Sequence, residues 1–259
     1  MMFDVTYVNN PTITTLTWLT PPDLTILTDN EVHVWRADLS LPDSQLQTLF
    51  DILSSDEQAR AESFHFPEDR ARFIAAHGLL RVILSRYLDL EPAHITFSYG
   101  DHGKPALTNE LGQEIVSFNM SHSGHLALYA ITRGRKIGVD VERLQINFAF
   151  EPIAERFFAP REVAALRALP LELRTEAFFN GWTRKEAFIK ARGQGLSLPL
   201  NQFEVSLVPG EPARLLYVAE TPWEAASWSL HALEAGAGYA AAVAVEGHDW
   251  HLKCWQWQE

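Results

Sequence analysis

The sequence predicts an α+β fold made of two similar halves, and three observations lead there. Strand-like and helix-like periods follow one another in the same order over residues 31–134 and again over residues 135–259, which points to a duplicated unit. The stretch between them, Thr132-Arg-Gly-Arg-Lys136, is short and basic and is no flexible linker, so the halves are expected to pack against each other. With 259 residues, 47% hydrophobic and 21% charged, the chain has enough apolar material for one large core or two modest ones.

Residues 1–30 are rich in Thr, Asn and Pro, with Pro21-Pro22 as a break, and read as an extended N-terminal arm. Glu31-Val-His-Val-Trp-Arg-Ala37 alternates like a strand. Pro42-Asp43 opens a run with Leu46, Leu49, Phe50 and Leu53 at helical spacing, and Ser54-Ser-Asp-Glu57 offers a capping box. A long helix is expected over 69–90, with Phe73, Ala76, Leu80, Ile83, Leu84 and Tyr87 on its inner face; Glu91-Pro92 ends it. Strands are expected over 94–98, 115–119 and 125–131, separated by stretches holding Gly100, Gly103, Pro105 and Gly124. The second half replays this order: a strand at 136–142, helical pieces near 150–157 and 161–169, and a long helix over 172–192. Strands near 203–207, 214–218, 227–233 and 239–245 follow. Pro152, Pro160 and Pro170 sit at the breaks, and Gly236-Ala-Gly238 suits a hairpin loop.

Two stretches carry chemistry. In Gly138-Val139-Asp140-Val141-Glu142, period two sends Asp140 and Glu142 to one face and the valines to the other. The two carboxylates are then about 6–7 Å apart along the strand. Buried without a cation, such a pair raises at least one pKa, whereas a hard divalent ion stabilises both anions. The ordinary alternative is an edge strand with two solvated acids. Downstream, Trp182, Glu186 and Lys190 fall at i, i+4 and i+8 of a helix that Gly193 and Gly195 are placed to cap. Alone, Glu186 and Lys190 would read as a weak surface ion pair.

Phe118-Asn-Met-Ser-His-Ser-Gly124, Gly138-Val-Asp-Val-Glu142 and Trp182-x-x-Lys-Glu-Ala-x-x-Lys190-x-x-Gly-x-Gly-Leu196, in that order and spacing, resemble the 4′-phosphopantetheinyl transferases of the surfactin-synthetase-activating type. Gly103-Lys104-Pro105 matches the same pattern, and the motifs together run from about residue 54 to 200. The resemblance implies a pseudo-dimer of two α+β halves with the active site in the cleft between them. It implies that Asp140, Glu142 and Glu186 hold Mg²⁺, which Mn²⁺ can replace chemically, at the diphosphate of coenzyme A. A serine hydroxyl of an apo acyl, peptidyl or polyketide carrier protein attacks the β-phosphate, giving the phosphopantetheinylated carrier and adenosine 3′,5′-bisphosphate, which is holo-[acyl-carrier-protein] synthase activity. Glu186 is then the expected general base, directly or through a metal-bound water, and Lys190 neutralises the diphosphate or protonates the leaving phosphate. Lys185 is expected at the rim near the diphosphate. Arg72, Lys104, Ser121 and His122 match the family's positions for the 3′-phosphate and adenine, with Arg60 as a weaker phosphate candidate. His122 alone would read as a turn histidine satisfied by backbone; the flanking Asn119, Ser121 and Ser123 favour the ligand role. Asp56 and Glu57 are acidic where related transferases often carry lysine, so coenzyme A affinity is expected to be lower or met by other residues.

Composition bounds the remaining classes. No apolar run approaches membrane-spanning length and Met-Met-Phe-Asp-Val-Thr lacks the features of a signal peptide, so a cytoplasmic protein is expected. Cys254 is the single cysteine, which excludes an internal disulfide and a multi-cysteine zinc site. A net charge of −12 argues against nucleic acid and anionic membranes as partners. An acidic carrier protein therefore needs a locally basic landing site, and residues 156–192, with eight Lys or Arg against four Glu, supply the expected one, with Phe157 and Phe158 as apolar anchors. Phe178, Phe179, Trp182 and Phe188 read as core. A serine hydrolase lacks its Gly-x-Ser-x-Gly elbow, and Gly100-Asp-His-Gly-Lys-Pro105 has the wrong spacing for a P-loop. A non-catalytic carrier-binding relative would be expected to lack some of Asp140, Glu142, Glu186 and Lys190. A phosphohydrolase using water in place of the carrier serine is the other alternative. A duplicated chain can build the site alone, so a monomer is expected.

Overall fold

The structure is a computed structural model of the chain, and it describes residues 17–22, 25–100, 103–107, 116–145, 148–193, 198–219 and 221–258. The fold is mixed α+β. Strand β1 (Glu31–Asp38) is followed by helices α1 (Asp43–Asp51), α2 (Ser55–Glu62) and α3 (Pro67–Leu88), then by strands β2 (Phe97–Tyr99), β3 (Pro105–Leu107), β4 (Val116–Ser123) and β5 (Leu126–Arg133). The capping box expected before α2 forms: the Ser54 hydroxyl accepts from Glu57 N–H, and the Glu57 carboxylate accepts from Ser54 N–H at 3.0 Å. The second half opens with β6 (Ile137–Arg143), continues through α4 (Glu151–Phe157), α5 (Pro160–Ala168) and α6 (Leu171–Arg192), and ends in β7 (Phe203–Val205), β8 (Leu215–Val218), β9 (Trp228–Ala232), β10 (Tyr239–Glu246) and β11 (His251–Gln256).

Two sheets face each other. The first has the order β11-β1-β5-β4, the second β6-β10-β9. Strand periodicity sorts their side chains between layers. Trp35, Tyr129, Ile131 and Phe118 meet Phe73, Leu80, Ile83 and Leu84 of α3 in one core. Val34, Leu128 and Ala130 on the opposite face of the first sheet meet Val139, Val141, Val243 and Val245 of the second. The other face of the second sheet, including Ala242, Ala244 and Leu230, packs on Phe188 and Ala191 of α6. The layers therefore run α3, first sheet, second sheet, α6.

Strand β11 lies beyond the strands expected from sequence, which end near residue 245. It pairs in parallel with β1, from Glu31 opposite His251 to Arg36 opposite Gln256, and so carries a second-half segment into the first sheet. His251-Leu-Lys-Cys-Trp-Gln256 lacks clean alternation; the free edge of β1, some 220 residues away in sequence, decides its state. Of the N-terminal arm, residue 19 exchanges backbone hydrogen bonds with Cys254 and Gln256 at 2.9 and 2.8 Å; residues 1–16 lie outside the described residues. Gly193 caps α6 at φ +74°, its N–H on Ile189 O at 3.0 Å, whereas Gly195 lies outside the described residues. Among the described residues, no helix is long and apolar enough to cross a membrane.

Candidate active site

The acidic strand and the second long helix meet at Gly138. A Cβ there would sit 2.1 Å from Ala187 O and 2.3 Å from Ala191 N, so only glycine lets α6 approach β6 this closely. At that distance Lys190 Nζ, from the last turn of α6, reaches across the strand. It donates to Asp140 Oδ1 at 2.6 Å, to Ser121 Oγ at 3.0 Å and to Val139 O at 3.4 Å. Asp140 and Glu142 share the α6 side of β6 as the period predicts, and Glu186 lies one helical turn before Lys190, within the field of all three charges.

The electrostatics record crowding. Burial pushes the Asp140 carboxyl above the ordinary carboxylate range, against the pull of Lys190 and Ser121. Glu142 is raised by burial and by Asp140, with Ser123 opposing. Glu186 is raised by burial and then by Asp140 and Glu142, with Lys190 opposing. Three carboxylates thus face one ammonium, and Asp140 Oδ2 is buried without a hydrogen-bond partner. Among the described residues no set of three Asp, Glu, His or Cys side chains is arranged as a closed metal cluster. Instead, Lys190 holds Asp140, and Ser123 Oγ positions Glu142 by donating to Oε2 at 2.8 Å.

Strands β4 and β6 belong to different sheets and are stitched by side chains. Asn119 Oδ1 accepts from Val139 N–H at 2.8 Å, Ser121 Oγ from Val141 N–H at 3.4 Å, and Ser123 Oγ from Arg143 N–H at 3.1 Å. Ser121 also donates to Asp140 Oδ1 at 2.9 Å. Ser121, expected at the nucleotide, is thus bonded to the acidic strand. Ser121-His122 is strand, beyond the strand end expected at 119, with the turn coming only at Gly124 with φ +60°, and neighbours in a strand face opposite ways. Ser121 therefore serves the acidic site while His122 faces the α3 side. There His122 titrates below its ordinary value, mainly through desolvation, and next through the neighbouring His77, Lys190 and Arg72. Arg72 lies on that side too, with Asp69 Oδ1 2.5 Å from its guanidinium. His77 is the residue sequence reading missed: it stacks on Phe73 with centroids 4.0 Å apart, and Nδ1 lies 3.4 Å from Glu57 Oε1. A polar residue four positions after Phe73 on the inner side of α3 was its available signal.

Two other lysines depart from expectation. Lys104 does not stand free for a phosphate; Nζ donates to Lys190 O at 2.6 Å and Ile137 O at 3.0 Å, tying the C-terminus of α6 to the start of β6. Burial lowers its pKa to about 8. Lys185 is not at a rim: it is fully buried, with Nζ 2.7 Å from Glu162 Oε2 and donating to Leu200 O and Phe203 O at 2.8 and 2.6 Å. Glu57 is likewise structural. Although burial opposes it, hydrogen bonds from His77 and Ser54 and the Arg81 guanidinium at 2.7 Å hold its pKa at about 2. Arg60 lies over the Phe73 ring at 5.6 Å.

Folding thins the basic landing surface expected over 156–192 and leaves Arg156, Arg161 and Arg167 exposed on it. Arg184 and Lys185 are buried, Lys190 belongs to the site, Arg174 donates to Leu169 O and Arg167 O, and Arg192 pairs with Glu224. Arg167 pairs with Glu155. Phe158 is core, stacked on Phe178. Phe157 is half-buried against Trp182, and Phe178, Phe179 and Phe188 are buried as expected.

Comparison with known proteins shows the family. Residues 136–244, which hold β6 and α6, match the family model described as 4′-phosphopantetheinyl transferase superfamily, and residues 40–133 match that of the 4′-phosphopantetheinyl transferase N-terminal region. The chain is 47% identical over 242 residues to the 4′-phosphopantetheinyl transferase HetI of Nostoc sp., covering 93% of this chain and 98% of that one. It is 33% identical over 170 residues to the 4′-phosphopantetheinyl transferase Sfp of Bacillus subtilis, covering 66% of this chain and 73% of the relative. With its two motif-bearing halves matched separately and nearly its whole length matched to one relative, the chain belongs to the 4′-phosphopantetheinyl transferase superfamily.

Proposed function

We propose that the protein transfers the 4′-phosphopantetheine group of coenzyme A to a serine hydroxyl of an apo carrier protein, with Mg²⁺, releasing adenosine 3′,5′-bisphosphate. The observation that carries the reading is the convergence of Asp140, Glu142 and Glu186 with Lys190 between β6 and α6. Hard oxygen donors, an unpartnered buried Asp140 Oδ2 and mutually raised carboxylates suit a divalent cation. Asp140, Glu142 and Glu186 would hold it, and bound there it would neutralise charge on the diphosphate oxygens.

The chain's own groups then divide the work. Glu186, raised above the usual carboxylate range, is suited to accept the proton of the attacking serine hydroxyl. Lys190 is suited to protonate or neutralise the departing phosphate. Its reach over Val139 O and its bond to Asp140 fix where the ammonium sits. Arg72, His77 and His122, on the α3 side of β4, supply cationic and hydrogen-bonding groups for the nucleotide end. The four-layer order supports reading the chain as a pseudo-dimer of halves 31–134 and 135–259 with the site in the cleft between them; action as a cytoplasmic monomer belongs to the same proposal.

Intact mass of apo acyl-carrier and peptidyl-carrier domains after incubation with protein, coenzyme A and Mg²⁺ tests the reading. A gain of about 340 Da on the carrier, absent with Glu186→Gln, is expected. Coenzyme A turnover without carrier loading would instead assign water as the nucleophile.

A further inference from the structure

We infer that Lys185 is a positioning residue for the transfer reaction: paired with Glu162, it fixes the rotation of α6 so that Glu186 and Lys190 face the β6 carboxylates. The inference rests on the function proposed above. Successive helix residues are about 100° apart, so Lys185 and Glu186 cannot both face the cleft. The structure gives the cleft to Glu186. Lys185 points to the opposite layer, where its ammonium meets Glu162, Leu200 O and Phe203 O and lies 4.3 Å from the centre of the Phe203 ring.

Glu162 completes the brace. Its Oε2 accepts from Ala159 N–H at 2.7 Å, at the start of α5, and its Oε1 accepts from Val205 N–H at 2.7 Å, in β7. One buried ion pair thus joins α5, the middle of α6, the turn at Leu200–Gln202 and β7. Every acceptor is satisfied, which is the condition under which a buried pair specifies geometry instead of destabilising it. The tolerance for rotation is small, because the Gly138 contact sets the same helix directly on strand backbone.

The test compares Lys185→Met, Glu162→Gln and the double variant with the wild-type protein. Each single variant is expected to lower kcat by about tenfold or more while the Kd of coenzyme A by calorimetry stays within about twofold. The double variant is expected to lose less than the product of the singles, as for two ends of one contact. A Kd weakened about tenfold by Lys185→Met and untouched by Glu162→Gln would put the ammonium on the substrate and overturn the inference. Unchanged kcat in both singles would overturn it too. If Lys185→Met does not fold, Glu162→Gln decides alone, by a lowered kcat at constant Kd or by no change. Wild-type protein that loads no carrier would count against the proposed function and not the brace, which is then read from coupled losses of thermal stability in the same three variants.

Discussion

Gly138→Ala should damage both stability and rate, because it moves the helix that carries two site residues. The backbone at Gly138 does not require positive φ, so alanine introduces no local strain and the effect isolates contact. The added Cβ would meet Ala187 O at 2.1 Å, where ordinary contact begins at 3.4 Å, so the helix has to retreat by about 1.3 Å. The obstacles are Ala187 O, Ala191 N and Ala191 Cα, all backbone, and no side-chain rotation relieves them. Overpacking of this kind costs about 1–3 kcal/mol. In a chain of this size that is a fall of about 2–4 °C in Tm per kcal/mol. The same retreat stretches the 2.6 Å contact of Lys190 with Asp140, and misplacement by about 1 Å can cost about a hundredfold in rate. Urea unfolding and carrier-loading rates measure the two effects. Gly100→Ala, which meets nothing within 4 Å, is the control and should change neither. A Gly138→Ala protein with wild-type stability and rate would refute the claim that helix–strand contact sets the site.

His33 should make stability fall with acid between pH 6.5 and 4, whereas the raised carboxyls of Asp140, Glu142, Glu186 and Glu162 act in the opposite sense, so the His33 contribution is read as the difference between wild type and His33→Gln. Burial holds His33 neutral, lowering its pKa to about 4, so the unfolded chain takes the proton first; one group costs about 2 kcal/mol at pH 5 relative to pH 7 by urea midpoints, and His33→Gln should flatten that slope. Lys104→Met should cost about 1–3 kcal/mol by leaving Lys190 O and Ile137 O unpaired, and should lower stability even without any ligand present. Ser123→Ala frees Glu142 and Arg143 N–H, and should raise the Mg²⁺ concentration needed for half-maximal rate with little change in the coenzyme A Kd. Chelation with EDTA should abolish carrier loading, and added Mg²⁺ should restore it; loading that survives chelation would remove the ion from the scheme.

Local order carried most of what the sequence made legible. The acid stripe of β6, the capping box at Ser54 and the glycine cap at Gly193 each depend on residues within a turn or a strand of one another. What failed was non-local. Lys185 reads as a phosphate ligand because its partner Glu162 lies 23 positions upstream and its other acceptors are backbone carbonyls without a sequence signature. Lys104 reads the same way for the same reason, its acceptors lying on β6 and α6. Ser121 and His122 were assigned together because the end of β4 was placed too early; four more strand residues send them to opposite layers. The basic stretch over 156–192 is smaller on the surface than in the sequence because counting charge along a chain ignores which side chains, here Arg184 and Lys185, the fold buries.

Those misreadings share a physical origin in α6. The helix lies between the second sheet and the layer formed by α4, α5 and β7, so apolar residues surround it and little of its surface is left to solvate charge. Each charged residue in its second half must then find a partner inside the protein. Arg184 takes the Ser206 carbonyl at 2.7 Å, Lys185 takes Glu162, and Lys190 takes Asp140. Glu186 is the exception: its charged neighbours include two further carboxylates, and burial and repulsion raise its pKa. The fold thus compensates α6 wherever it is structural and leaves excess negative charge only where the helix meets β6. A stable apo protein has to tolerate that excess by sharing protons among the carboxylates, and a divalent cation with an anionic diphosphate would relieve it. The groups for the rest of such a substrate lie one layer away, with the guanidinium of Arg72 and the imidazole of His77 on α3 and the imidazole of His122 on the outward face of β4. Because β4 and β6 are joined by Asn119, Ser121 and Ser123, the negative and positive poles are held by one rigid seam and not by a hinge.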